Sequence, residues 1–189
     1  MLTFHTKTTR TLLVIFMLQA LLASCASHSG DYHYAVERAQ IENLFARYAY
    51  AADWQDADTY ASLFTEDGVL DWAGGVVNGR EAIREEVRNM RTYFSDRDAA
   101  DEPLRGACLR HFISNLVVDI RGDEASATAF WVEFDNHNPQ RKAYSGAYGH
   151  SEDELRKING QWLFKSRKIF NEEMDDRSAP RVNPGEQVY

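Results

Sequence analysis

The second half of the chain constrains the fold most. From Cys108 onward, four strand-like segments follow one another with only turns between them: Cys108 to Ile120, Ala125 to Asp135, Ala143 to Lys157 and Gln161 to Phe170. Gly122-Asp123, NHNPQ and Asn159-Gly160 supply the turn chemistry at the joints. Strands joined by short turns pair antiparallel, so this half predicts a meander sheet. FISNLVV and FWVEF are apolar at adjacent positions and hence on both faces. A sheet covered on one side alone alternates more cleanly. The outer face is therefore expected to be buried as well, most simply by a second copy of the chain.

Helices precede the strands. Ile41, Leu44, Phe45, Tyr48 and Ala52 recur at three- and four-residue spacing, which predicts a helix from Tyr34 to about Asp53. A shorter helix is expected over Asp56 to Phe64, with Asp56 as its cap. TEDG at 65–68 reads as a turn, and VLDW and VVNG as a hairpin around Gly74-Gly75. GREAIREEVRNMRTYF forms a third helix with Ile83, Val87, Met90 and Phe94 along one stripe. The polar 95–106 stretch reads as a loop, and 171–189 as an extended polar tail. Helices first and a run of strands afterwards define an α+β class, a strongly bent, mostly antiparallel sheet curled over three helices.

The first long strand, RHFISNLVVDI from Arg110, carries polar residues where apolar ones are expected. Strict alternation puts His111, Ile113, Asn115 and Val117 on one face. A buried polar group is costly without a partner. Either His111 and Asn115 are satisfied in the core, or their face looks into a cavity.

The N-terminus is a separate segment. MLTFHTKTTR carries Lys7 and Arg10 and no acid, and TLLVIFMLQALLA follows as a short apolar block. That is the pattern of a secretory signal, too short for a stable membrane span. Leu22-Ala23-Ser24-Cys25 resembles the bacterial lipoprotein box, which implies lipidation at Cys25 after loss of the leader, with 26–33 as a tether. No aspartate follows the cysteine, so the expected address is the outer membrane, facing the periplasm. Loss of Lys7 and Arg10 takes the net charge from −8 to −10. So acidic a domain lacks the basic face that nucleic acid demands. With Cys25 lipidated, Cys108 is alone and is expected as a small buried residue.

YAYAADWQDADTYASLFTEDGVL, NGREAI, RHFISN and DELRKINGQWLFKSRKI, in that order, resemble the SnoaL-like branch of the nuclear transport factor 2-like superfamily from about Tyr34 to Phe170. The resemblance implies a cone of three helices in a bent sheet with an internal pocket. Its nearest patterns belong to cofactor-free lyases: scytalone dehydratase, lindane dehydrochlorinase and bile-acid 7α-dehydratase. It places their Asp–His pair on Asp53 and His111, a pocket tyrosine on Tyr48 and a pocket arginine on Arg167. Tyr48 stands where the dehydrochlorinase has lysine, which favours loss of water over loss of halide.

The chemistry agrees. Removing a proton beside a carbonyl suits histidine, whose ordinary titration range brackets neutrality. A carboxylate on the other ring nitrogen fixes the tautomer, and a tyrosine hydroxyl stabilises charge on oxygen. No metal or organic cofactor is needed, and His137 and His150 have no ligand spacing with His111. The expected reaction is dehydration of a small cyclic or polycyclic hydroxy-carbonyl compound. The same base serves a double-bond isomerase, and the same cone a non-catalytic binder of apolar molecules. Trp72 and Trp131 are expected as pocket walls beside Arg167 and Asn115; if they fill the cavity with Phe45, the structural reading gains.

Overall fold

A computed structural model describes residues 32–100 and 108–188. The leader, Cys25 and most of the tether lie outside them. Residues 40–189 form one compact unit; of the preceding unit, residues 32–39 are described and are helical.

Helix α1 runs over 32–53. It ends where Gln55 takes a left-handed conformation, φ 53°. The Gln55 N–H then reaches the Ala52 carbonyl and the Asp56 N–H the Ala51 carbonyl, a Schellman closure made without glycine. Asp56 then caps α2 (Ala57–Ser62) by accepting from the Thr59 N–H at 3.1 Å. Strands β1 (Phe64–Trp72) and β2 (Gly75–Asn78) form the hairpin, and α3 (Arg80–Ala100) follows. The third helix thus runs six residues into the stretch expected as a loop. TEDG is not a turn but part of β1, where the pairing with the last strand shifts register.

The remaining strands are β3 (Leu109–Arg121), β4 (Glu124–Asp135), β5 (Tyr144–Ile158) and β6 (Gln161–Ile169). They form one six-stranded sheet in the order β2-β1-β6-β5-β4-β3, antiparallel except for the β1–β6 pair. This is the α+β class with a curved sheet. Register shifts interrupt the β1–β6, β3–β4, β4–β5 and β5–β6 pairings. Each inserts extra residues into one strand and bends it, which is how so long a meander becomes concave.

The core lies in that concavity. Ile41, Leu44, Phe45 and Tyr48 of α1 and Ile83 and Val87 of α3 are buried with Phe64, Leu155 and Phe164 of the sheet. On the other face Phe112, Phe130, Phe134, Tyr144 and Tyr148 are exposed, and Phe112 meets Phe134 edge-on at 5.5 Å. The outer apolar face inferred from the sequence is thus open on the single chain.

The C-terminal segment is not extended. The Glu172 N–H bonds the Tyr148 carbonyl at 2.9 Å, and Arg177 pairs with Asp71. Helix α4 (Pro184–Gln187) is capped by Asn183, and Val188 is buried. Its polar composition hid this because the docking rests on hydrogen bonds and an ion pair, with Val188 as a buried apolar contact.

Candidate functional site

The end of α1 and the start of β3 meet at Asp53 and His111. As an edge strand, β3 leaves outward N–H groups without a strand partner. At His111 the Asp53 carboxylate takes that role, its oxygens 3.1 and 3.0 Å from the backbone nitrogen. The same carboxylate lies 2.6 Å from the ring Nδ1. A carboxylate only accepts, so Nδ1 carries the proton and Nε2 is left as the basic nitrogen. Asp53 is 5% exposed and His111 23%. Asp53 sits at the last helical residue, and the Schellman turn removes the chain from above it. That is why a residue at the flank of the apolar stripe reaches the sheet.

A third group went unnoticed in the sequence. Glu133 is the direct cross-strand partner of His111, and its Oε2 lies 3.6 Å from Nε2. Its other oxygen accepts from the Ala147 N–H at 3.1 Å, in the β5 bulge. Burial raises the Glu133 carboxyl above the usual range, opposed first by that N–H and then by His111.

Asn115 is corrected by the structure. It is exposed, does not line the cavity, and sits at φ 55° in a bulge between Ser114 and Val117. Asparagine tolerates this left-handed conformation better than most residues. The bulge decides which way His111 faces. Counting back from the Gly122–Asp123 turn without it places Phe134 opposite His111 and turns the histidine outward. With it, Leu116, Val118 and Ile120 pack on the core while His111 and Ile113 also face inward.

These residues line a cavity of about 640 Å³, within the range of small-molecule sites. Tyr60, Trp72, Met90, Ile113, Trp131 and Ile169 give it apolar and aromatic walls. Trp72 and Trp131 bound the space rather than fill it. Trp131 is fixed by donating its indole N–H to the Phe170 carbonyl at 3.1 Å. That carbonyl comes so close to β5 that a Cβ on Gly149 would stand 2.1 Å from it. The exposed residues Trp54 and Cys108 also line the space and mark its open end. Cys108 is therefore not the buried residue expected.

Across from His111 lies a buried charged pair. Arg167, 2% exposed on the interior strand β6, bonds Asp153 at 2.8 Å. Its guanidinium lies 4.1 Å from the Tyr48 ring centre and 4.8 Å from that of Phe164. Burial pushes the Asp153 carboxyl up to about 6 against the pull of Arg167. Tyr48 lines the cavity, and its hydroxyl is 2.7 Å from that of Tyr60. No cluster of three metal-ligating side chains occurs among the described residues.

A curved six-stranded sheet with helices packed in its concavity is the architecture of the cystatin-like, NTF2-like proteins. Within them, the chain belongs to the SnoaL-like domain family, which matches residues 34–168. Solved structures agree. It is 27% identical to a protein of unknown function with a cystatin-like fold from Nostoc punctiforme, covering 72% of this chain and 92% of that one, TM-score 0.59. It is 25% identical to a candidate scytalone dehydratase from Novosphingobium aromaticivorans, covering 80% and 94%, TM-score 0.60. An NTF2-like protein with a cystatin-like fold from the same organism matches at 25% identity over 74% and 84%, TM-score 0.60. No protein of curated function matches the chain in sequence.

The bulge makes a testable demand. Asn115→Gly keeps the left-handed residue and is expected to keep His111 inward. Asn115→Val disfavours it by about 1–3 kcal/mol. The expected result is loss of the His111 Nδ1–Asp53 hydrogen-bond proton from the NMR spectrum in the valine variant alone.

Proposed function

We propose that the chain is a cofactor-independent lyase that removes water from a small cyclic or polycyclic hydroxy-carbonyl compound. The observation that carries this is the 2.6 Å contact of Asp53 with His111 inside the aromatic cavity. Asp53 holds the proton on Nδ1, so Nε2 takes the proton from the carbon beside the carbonyl. The electron pair of that C–H bond forms the new double bond, by way of the enolate, and the C–O bond breaks. Glu133 gives its proton to the departing hydroxyl, which leaves as water. The imidazolium then returns its proton to the Glu133 carboxylate across the 3.6 Å gap, restoring both groups. Tyr48 donates to the carbonyl oxygen as charge gathers there.

The raised Glu133 carboxyl favours elimination over isomerisation. It keeps its proton to higher pH than an ordinary glutamate, and a leaving hydroxyl is the group that uses such an acid in this reading.

The test is a panel of cyclic β-hydroxyketones, followed by the ultraviolet absorbance of the conjugated enone. His111→Ala and Asp53→Asn are expected to lose about 10²–10⁴-fold in rate. Glu133→Gln is expected to lose water elimination while retaining exchange of the α-proton with deuterated solvent. A double-bond shift without water loss would instead make the chain an isomerase. Binding without any turnover, in every member of the panel, would make it a binder.

Two further parts of the reading concern place and assembly. The Leu22–Cys25 motif supports a lipid anchor at Cys25 and an outer-membrane site facing the periplasm. Labelled palmitate is expected in the wild type and absent from Cys25→Ser. The exposed aromatic face of β3, β4 and β5 supports a homo-oligomer. Sedimentation is expected to give a dimer that Phe112→Asp disperses; a monomer in both would leave that face unexplained.

A further inference from the structure

The buried hydroxyl pair beneath the cavity has a direction, and the direction has a consequence for what the cavity binds. Tyr48 of α1 and Tyr60 of α2 are both buried, their ring centres are 4.8 Å apart, and their hydroxyl oxygens are 2.7 Å apart. One hydroxyl must donate to the other. Both residues line the cavity, so the proton not used between them faces that space. The hydrogen bond runs from Tyr60, the more deeply buried at 3% exposed against 8%, to Tyr48. Burial and the Tyr48 contact raise the Tyr60 phenol well above its usual range, which keeps its proton in place to be given.

Arg167 reinforces the direction. A guanidinium has donors and no acceptor. It lies over the face of the Tyr48 ring, 4.1 Å from the ring centre. The Tyr48 side chain thus meets a donor hydroxyl at its oxygen and, over its ring, a cation that cannot accept its proton. Its own proton has no acceptor among the described residues and is left for whatever occupies the cavity.

We propose that Tyr60 is a positioning residue: by donating to Tyr48 it commits the Tyr48 proton to the cavity, so that the site selects ligands presenting an oxygen acceptor, a ketone or enolate, over hydrocarbons of the same shape. The inference deepens the lyase reading, since it names the group that recognises the carbonyl. It rests on that reading only for the identity of the cavity, because the selection is a matter of binding and needs no turnover.

The experiment compares 1-tetralone with tetralin, two bicyclic molecules of closely similar shape, by calorimetric titration of the full chain. The wild type is expected to prefer the ketone by about five- to tenfold, the worth of one hydrogen bond. Tyr60→Phe keeps the ring and is expected to lose most of that preference while binding tetralin as before. Tyr48→Phe is expected to lose all of it, and the double variant to be no worse than Tyr48→Phe alone. A merely structural role for Tyr60 would weaken both ligands together. Retention of the ketone preference in Tyr60→Phe, or equal affinity of the wild type for the two molecules, would overturn the proposal. A preserved preference pattern in a chain that dehydrates nothing would sink the lyase and leave this inference standing.

Discussion

The Asp53 carboxylate is the interaction on which the site depends. Among the described residues its three hydrogen-bond contacts all go to one residue, the backbone N–H and the ring of His111, across 58 positions of sequence. A carboxylate at a helix C-terminus stands in the unfavourable end of the helix dipole. It is nearly buried there, so it stands only because His111 brings two N–H donors to it. The exchange serves both partners. An edge strand gains a partner for an otherwise exposed N–H, and the imidazole gains a fixed tautomer and orientation. The non-glycine Schellman turn at Gln55 belongs to the same arrangement, because it turns the chain away at Asp53 and into the cap of α2.

The Arg167–Asp153 pair follows a different logic. Burying two opposite charges brings a desolvation cost that their attraction only roughly offsets. The upward push on Asp153 expresses that cost in one group. An apolar pair of similar volume would serve the core at least as well. What an apolar pair cannot do is hold a donor cation against a phenol ring at the wall of a cavity. The aromatic rings of Phe45, Tyr48 and Phe164, all within 5.0 Å of the guanidinium, offer their faces to it in place of water.

Much of the architecture was legible because strands, turns and helix stripes are local signals. Gly122-Asp123 and Asn159-Gly160 fall where the hairpins turn, and Asp56 caps the helix it was expected to cap. The faces of β3 were not legible. Alternation assumes an unbroken strand, and the bulge at Asn115 breaks it. His111 faces inward only because that bulge exists, and the same bulge turns Asn115 out of the cavity. Glu133 was hidden for the same reason. Its closeness to His111 is a matter of register, and an unbulged count puts Phe134 there instead. The cue available was Asn115 itself, an asparagine amid β-branched and apolar neighbours. That composition reads equally as a polar pocket residue and as a left-handed bulge.

The two polar ends of the cavity bear on the shape of molecule it can transform. Tyr48 and Asp53 are five residues apart on α1, about 7.5 Å along its axis, and His111 extends the second station away from the helix. Trp72 and Trp131 line the same space. In the proposed reaction the carbonyl oxygen and the acidic C–H belong to adjacent carbons, so both stations must converge on one edge of a compact, largely apolar ligand. A ring holds those atoms in place without loss of internal freedom, whereas an open chain must be fixed at an entropic cost for every bond. The leaving hydroxyl must then lie beside the C–H, because Glu133 and the basic nitrogen of His111 share one end. In the proposed reaction, removal of the proton and departure of the hydroxyl therefore occur on the same face of the ring. The register that sets this depends on the bulge at Asn115, which brings His111 and Glu133 to the same side of the sheet.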